Sequence, residues 1–167
     1  KEFEAEFADW QGTDHALGFC NGTAALHAAM YGVGVGVGDE VIGPSITYWA
    51  AVLPCLSLGA TPVFADIERD TLCLDPASFE DRISEDTQAV VVVHNYGHPA
   101  DMDPIMEIAR EHDIAVIEDV SHAHGALYKG EKLGTIGDVG AMSMMARKSF
   151  AIGEGGMIAT DDREIYD

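Results

Sequence analysis

The sequence predicts an α/β fold: a mostly parallel seven-stranded sheet with helices on both faces. Three observations carry that prediction. Short apolar, β-forming runs recur at 15–20, 39–43, 61–67, 88–95, 114–119, 139–144 and 155–161. Helical segments separate most of them, and a strand followed by a crossover helix returns parallel to its predecessor. The central runs "QAVVVVHN" and "IAVIED" are almost continuously apolar, as strands covered on both faces must be.

The elements follow in order. "HALGFC" (15–20) is a short strand, and "TAALHAAMYG" (23–32) is an Ala-rich helix closed by Gly32. "GVGVGVG" (32–38) stops that helix and continues as a loop, and "DEVIG" (39–43) is the second strand. "TYWAAVLPCLSLG" (47–59) is expected to be a helix that Pro54 kinks or shortens. "TPVFADI" (61–67) is a strand. "DPASFEDRI" (75–83) is a helix with Asp75 as N-cap and Pro76 at its first position. "QAVVVVHN" (88–95) is a buried strand, "DMDPIMEIAREH" (101–112) an amphipathic helix, and "IAVIED" (114–119) the next strand. "VGAMSM" (139–144) and "GGMIATD" (155–161) complete the seven.

A chain of 167 residues, 47% of them hydrophobic, is long enough for one globular domain with a core. Nine basic residues face 29 acidic ones, a formal charge of −20, so the chain lacks the basic stripe that binds nucleic acid and does not suit an anionic membrane surface. The acidic patches "KEFEAEFADW" and "FEDRISEDTQ" read as solvated surface. The longest apolar run, "YWAAVLPCL", is too short to span a bilayer, and the N-terminus shows no signal-peptide pattern. Cys20, Cys55 and Cys73 are odd in number and widely spaced, which fits reduced thiols and a cytoplasmic location. The sequence opens without Met and stops at "DDREIYD", just after a strand, so both ends look cut. Neither G-x-G-x-x-G nor G-x-x-x-x-G-K-[ST] occurs, and dinucleotide and P-loop readings lack their fingerprints.

In such sheets ligands bind at the carboxyl ends of the strands. That rule places 20–23, 44–48, 94–98, 119–124 and 143–148 on one rim. In "CNGTAAL" a strand ends, Gly22 turns and a helix starts near Thr23, which makes an anion site of free N–H groups, although Asn or Thr before a helix is ordinarily only a cap. Tyr48 and Trp49 are core aromatics, or one of them stacks on a flat ligand ring. Asp119 caps a neighbouring loop or faces a ligand cation such as a protonated ring nitrogen, with His122 able to stack or to donate to a ring substituent. Lys148, in "SMMARKSFAIGEGG", is a surface charge unless a pocket desolvates it and makes it a nucleophile for aldehydes. Ser143 at a strand end can bind phosphate. A flat ring, a ring nitrogen that wants a proton, an aldehyde and a phosphate describe one ligand, pyridoxal phosphate. A metal-dependent hydrolase is the rival: His94, His98, Asp101, Asp119, His122 and His124 offer ligands on the same rim, with His94 and His98 otherwise polar loop residues.

Ordered motifs run nearly end to end: "NGTAALHAA", "GDEVIGPSITYWA", "LGATPVFADIERDTLCLDP", "VVVVHNYGHPADMDPI", "VIEDVSHAHGALYKGEKLGTIGDVGAMSM" and "RKSFAIGEGGMIATDD". By them the chain resembles the DegT/DnrJ/EryC1/StrS sugar aminotransferases of the fold-type-I pyridoxal-phosphate class. The resemblance implies that residues 1–167 are the large, cofactor-binding domain of such an enzyme, truncated at both ends and without its small C-terminal domain. It implies that Gly22, Thr23 and Ala24 supply the phosphate-binding turn, Tyr48 stacks on the cofactor ring and Asp119 pairs with the pyridine nitrogen. It further implies that His122 lies near the ring hydroxyl, Ser143 holds phosphate and Lys148 bonds to the cofactor aldehyde. No metal is implied. The implied substrates are an amino donor, glutamate, and a keto group on a nucleotide-linked sugar; the implied assembly is a homodimer. "MSMMAR" replaces a Phe-rich stretch, Ser149 an Asn, and "DVSHAHG" an Ala-rich version of that motif. Dehydratases of the family carry histidine in place of the lysine, so Lys148 favours transamination. A non-catalytic module that keeps the cofactor is a further alternative.

Overall fold

The computed structural model describes residues 1–167. Its helices are α1 (Glu2–Gln11), α2 (Gly22–Gly32), α3 (Pro76–Glu80), α4 (Met102–His112) and α5 (Arg163–Tyr166). Its strands are β1 (His15–Phe19), β2 (Glu40–Pro44), β3 (Thr61–Ala65), β4 (Thr87–Val93), β5 (Ala115–Asp119), β6 (Leu127–Tyr128), β7 (Glu131–Lys132), β8 (Val139–Ser143) and β9 (Gly156–Thr160). All seven expected strands form, and they make one sheet in the order β1–β9–β8–β5–β4–β2–β3. The pairs β2–β3, β2–β4, β4–β5 and β5–β8 are parallel. Strand β9 runs antiparallel to both β8 and β1, because residues 144–155 fold straight back without a crossover helix.

The two-residue period of the strands divides the core. Val91, Val93, Ile117, Val139 and Ala141 pack with Ala25, Leu26, Ala29 and Met30 of α2. Val90, Val92 and Val116 face the other way, against Phe79 of α3 and Ile105 and Ala109 of α4. Asp119 lies two residues beyond Ile117 and so takes the α2 face, while Glu118 takes the opposite one.

Three expectations are corrected. Residues 47–59 form two 3-10 segments, Trp49–Ala51 and Leu53–Leu58, and no α-helix. Pro54 has no N–H for an α-helical ladder, and the turns close instead with i to i+3 bonds from Val52 N–H to the Trp49 carbonyl (3.3 Å) and from Gly59 N–H to the Leu56 carbonyl (3.2 Å). The helix expected over 75–83 ends at Glu80, although Asp75 does cap it, accepting from the Ala77 N–H at 2.9 Å. The acidic "KEFEAEFADW" patch is α1, whose Phe7, Ala8 and Gln11 are buried. Phe3, Phe7 and Trp10 recur at helical spacing, and that was the signal for it. The hairpin β6–β7 and the short α5 were also not anticipated; Lys129 at φ 51° and Gly130 at φ 96° make the hairpin turn.

Candidate active site

A cavity of about 640 Å³ opens at the carboxyl ends of the parallel strands and is lined by residues of all five rim segments. A smaller cavity of about 200 Å³ at the other edge, lined by Thr13, Asp138, Asp161 and Asp162, holds none of the expected site residues.

The first wall is the start of α2. Asn21 caps it by accepting from the Ala24 N–H at 2.9 Å, so Ala24's amide is occupied within the helix turn. The Gly22 and Thr23 amides precede any intrahelical acceptor, and both residues line the cavity. Gly22 cannot carry a side chain: a Cβ there would lie 2.5 Å from Ser143 Cβ. That close approach sets the helix start beside the Ser143 hydroxyl. Gly22→Ala is expected to force α2 away from β8 and lower stability by about 1–3 kcal/mol in chemical denaturation. Gly156, at the start of β9, allows an equally close approach, since a Cβ there would meet the Asn21 carbonyl oxygen at 2.3 Å.

The second wall is the end of β5. Asp119 is 7% exposed, and its Oδ1 accepts from the Ser121 N–H at 3.0 Å. Its Oδ2 has no protein donor, and Asp119 lines the cavity. Ser121 Oγ in turn accepts from the Ser143 N–H at 2.9 Å, tying the ends of β5 and β8 together. Asp119 therefore caps a loop with one oxygen and leaves the other without a protein partner.

Lys148 sits on the loop from β8 to β9. The loop closes through Ala146 N–H to the Gly153 carbonyl (2.8 Å) and Ile152 N–H to the Met144 carbonyl (3.0 Å). Phe150 anchors it, stacking on Phe7 of α1 with ring centroids 6.3 Å apart and lying 6.1 Å from the Trp10 ring. Burial pushes the Lys148 ammonium below its ordinary pKa, while the Asp119 charge pulls the other way. Burial, then the Lys148 charge, also lowers His122, against an opposing pull from Asp119.

Tyr48 lines the cavity and is 63% exposed, so neither it nor Trp49, at 53%, is a core aromatic. His94 is not a rim loop residue. It is fully buried on the opposite face, where its Nε2 meets Glu118 Oε2 at 3.0 Å and its Nδ1 accepts from the Ala100 N–H. Accepting at Nδ1 fixes the tautomer, so Nε2–H donates to Glu118. No three of the His, Cys, Asp and Glu side chains come together as a metal-binding group. Asn95 and Tyr96, within the expected rim segment 94–98, are further wall residues to which the sequence assigned no role. Asn95 Nδ2 donates to the carbonyls of Ile46 (3.1 Å) and Leu72 (2.6 Å), joining three loops.

The sequence profile of the DegT/DnrJ/EryC1/StrS aminotransferase family matches residues 1–167. The chain belongs to this family. It is 48% identical over 164 residues to the GDP-perosamine synthase of Caulobacter vibrioides, covering 98% of this chain and 44% of that protein. An aminotransferase from Psychrobacter cryohalolentis superposes with a TM-score of 0.96 at 42% identity, covering 99% of this chain and 42% of that one. DesV from S. venezuelae, solved in complex with a ketimine intermediate, superposes with a TM-score of 0.94 at 45% identity, covering 98% and 44%. The chain thus spans less than half the length of each relative. Aminotransferases of this family use pyridoxal phosphate, and the cavity fits that group: unpaired amides and a hydroxyl for an anion, a carboxylate oxygen for a ring N–H, and an amine for an aldehyde. No helix is long and apolar enough to cross a membrane.

Proposed function

We propose that the protein is a pyridoxal-phosphate-dependent aminotransferase that moves an amino group from glutamate to a keto group of a nucleotide-linked sugar, with residues 1–167 forming the cofactor-binding domain. One observation carries the reading. A half-buried amine, Lys148, and a carboxylate with one uncommitted oxygen, Asp119, share a cavity with the unpaired N–H groups of Gly22 and Thr23. The family match and the GDP-perosamine synthase relative support the amino transfer and the sugar acceptor.

The cofactor, when bound, supplies an aldehyde carbon and an electron-accepting ring. Gly22, Thr23 and Ser143 would hold its phosphate, and Tyr48 would cover a face of the ring. Asp119 Oδ2 would keep the ring nitrogen protonated through a charge-assisted bond worth roughly 1.5–3 kcal/mol. His122 stands near the ring hydroxyl. Lys148 would hold the aldehyde carbon through its amine, and the same amine, when free, would take and deliver a proton beside that carbon. Ala24, whose amide Asn21 occupies, supports the turn without binding phosphate itself. We further propose that the protein acts as a cytoplasmic homodimer; exposed Ile46, Tyr48 and Trp49 beside the cavity mouth favour burial against a second copy.

Asp119→Asn is expected to lower turnover roughly 10²–10³-fold, the effect of losing one well-placed electrostatic partner. It also removes the charge that favours the Lys148 ammonium. The Lys148 amine then deprotonates at lower pH, and its rate of reaction with pyridoxal phosphate shows a pH midpoint below that of the parent protein. The test of the whole reading is the visible absorption spectrum of the cofactor-loaded protein before and after glutamate. Loss of the band on adding glutamate is expected. A stable band overturns glutamate as donor, and no band at any cofactor concentration overturns the site.

A further inference from the structure

The turn after β4 carries a feature that the roles above leave unused. Tyr96 has φ 53° and ψ 24°, in the left-handed region, and Gly97 follows at φ 86°. A left-handed tyrosine is strained, and strain of this kind persists where neighbouring contacts impose it. Asp113, also left-handed, ends α4, left-handed Lys129 turns a hairpin, and left-handed Leu72 closes the tight turn between the bridged Ile67 and Leu74; those sites are common ones for such backbone. Tyr96 instead stands in the cavity wall. The residue is 78% exposed, so burial of its own surface does not account for the strain. The contact it makes is with His122: the two rings stack at 5.7 Å between centroids and 19° between planes. The backbone repeats the contact, since a Cβ on Gly97 would lie 3.3 Å from the His122 carbonyl oxygen. Asn95 pins the start of the same turn to two other loops.

We propose that Tyr96 is a positioning residue that holds the His122 imidazole in a fixed plane beside Asp119 and off its free oxygen, and that its strained backbone serves this contact. Glycine would make the same turn with less strain, as Gly97 does next to it; only the tyrosine ring adds the stack. The physical need is clear from the neighbours. The charged and titratable groups that act on His122 are Asp119 of β5, Lys148 of the β8–β9 loop and His124 of its own loop. An imidazole that turned and took a proton would be drawn by the Asp119 charge, whose Oδ2 has no protein donor. Stacked on Tyr96, the ring stays partly covered and held against that pull. The inference rests on the proposed cofactor site only for what the uncommitted oxygen is kept for.

The test uses histidine-ring NMR on the ligand-free protein, with His122→Gln serving to assign the His122 signal. The parent protein is expected to titrate at His122 below the ordinary histidine range. Tyr96→Phe keeps the stack and should leave that midpoint unchanged. Tyr96→Gly relieves the strain, so its melting temperature should equal or exceed the parent's. Its His122 midpoint should nevertheless rise, and its affinity for pyridoxal phosphate should fall about tenfold, the scale of one lost aromatic pair. Tyr96→Leu, which keeps bulk without an aromatic face, should follow glycine. The proposal is overturned if Tyr96→Gly leaves the His122 midpoint in place, or if Tyr96→Phe behaves like glycine, which would assign the role to the hydroxyl. Because the NMR titration contains no cofactor, a shifted His122 in a protein that binds no pyridoxal phosphate would refute the site and leave the positioning role standing.

Discussion

Lys148→Ala is expected to abolish transamination, with turnover reduced at least about 10⁴-fold, and to remove the visible band of the cofactor-loaded protein. Lys148 is the one lysine on the cavity wall; Lys1, Lys129 and Lys132 lie elsewhere. Lys129 is ion-paired with Asp103, and Lys132 donates to the Trp10 carbonyl. None can reach the same carbon, so no second amine substitutes. Lys148→Arg should fail to the same degree, since a guanidinium keeps the charge but does not act as a nucleophile at neutral pH. The fold should tolerate both changes. Burial already disfavours the Lys148 ammonium, and the side chain borders a cavity where truncation leaves no sealed void. Turnover, the absorption spectrum and a thermal melt on the same samples check all three statements.

The largest expected loss of stability lies one residue from the site, on the other face of the sheet. Glu118 is fully buried, yet its carboxylate accepts four hydrogen bonds: from His94 Nε2 (3.0 Å), Gly134 N–H (2.8 Å), Ile136 N–H (2.7 Å) and Gly137 N–H (2.8 Å). Burial alone would raise its pKa; the His94 hydrogen bond and the backbone amides outweigh it and hold the carboxyl below its usual range. Glu118→Ala leaves four donors buried and unpaired and is expected to cost about 3–5 kcal/mol in urea denaturation near neutral pH. Glu118→Gln is milder, roughly 1–3 kcal/mol, because the amide NH₂ must face a donor where the carboxylate accepted. The sign with pH follows from the lowered value. The stabilisation is complete above the ordinary glutamate pKa and is lost as pH falls through the folded one. The parent protein should lose stability on the acid side more steeply than Glu118→Gln.

The strands and their faces were legible because period-two burial leaves its mark on the sequence: the valines of 90–93 alternate between two cores. Asp119 was legible for a related reason, as a charge at the end of a buried strand. Glu118, its neighbour, was not. Its partners are three backbone amides of 134–137 and a histidine just past the end of β4, and backbone donors carry no sequence signature. The same holds for Tyr96, whose left-handed backbone no tyrosine announces, and for the Ala24 amide, which donates to the Asn21 cap. The segment 47–59 has the apolar content of a helix, and one proline decided against it. In α1 the acidic composition masked a helical aromatic stripe, and with it the Phe7–Phe150 stack that steadies the Lys148 loop.

Reduction of the cofactor-loaded protein with borohydride, followed by digestion and peptide mass mapping, tests most directly whether this cavity works through a lysine and a vitamin B6 aldehyde. A single phosphopyridoxyl label on Lys148, absent from Lys148→Ala and weakened in Asp119→Asn, is the result expected. A label confined to Lys1, Lys129 or Lys132, or no label at saturating cofactor, would contradict it.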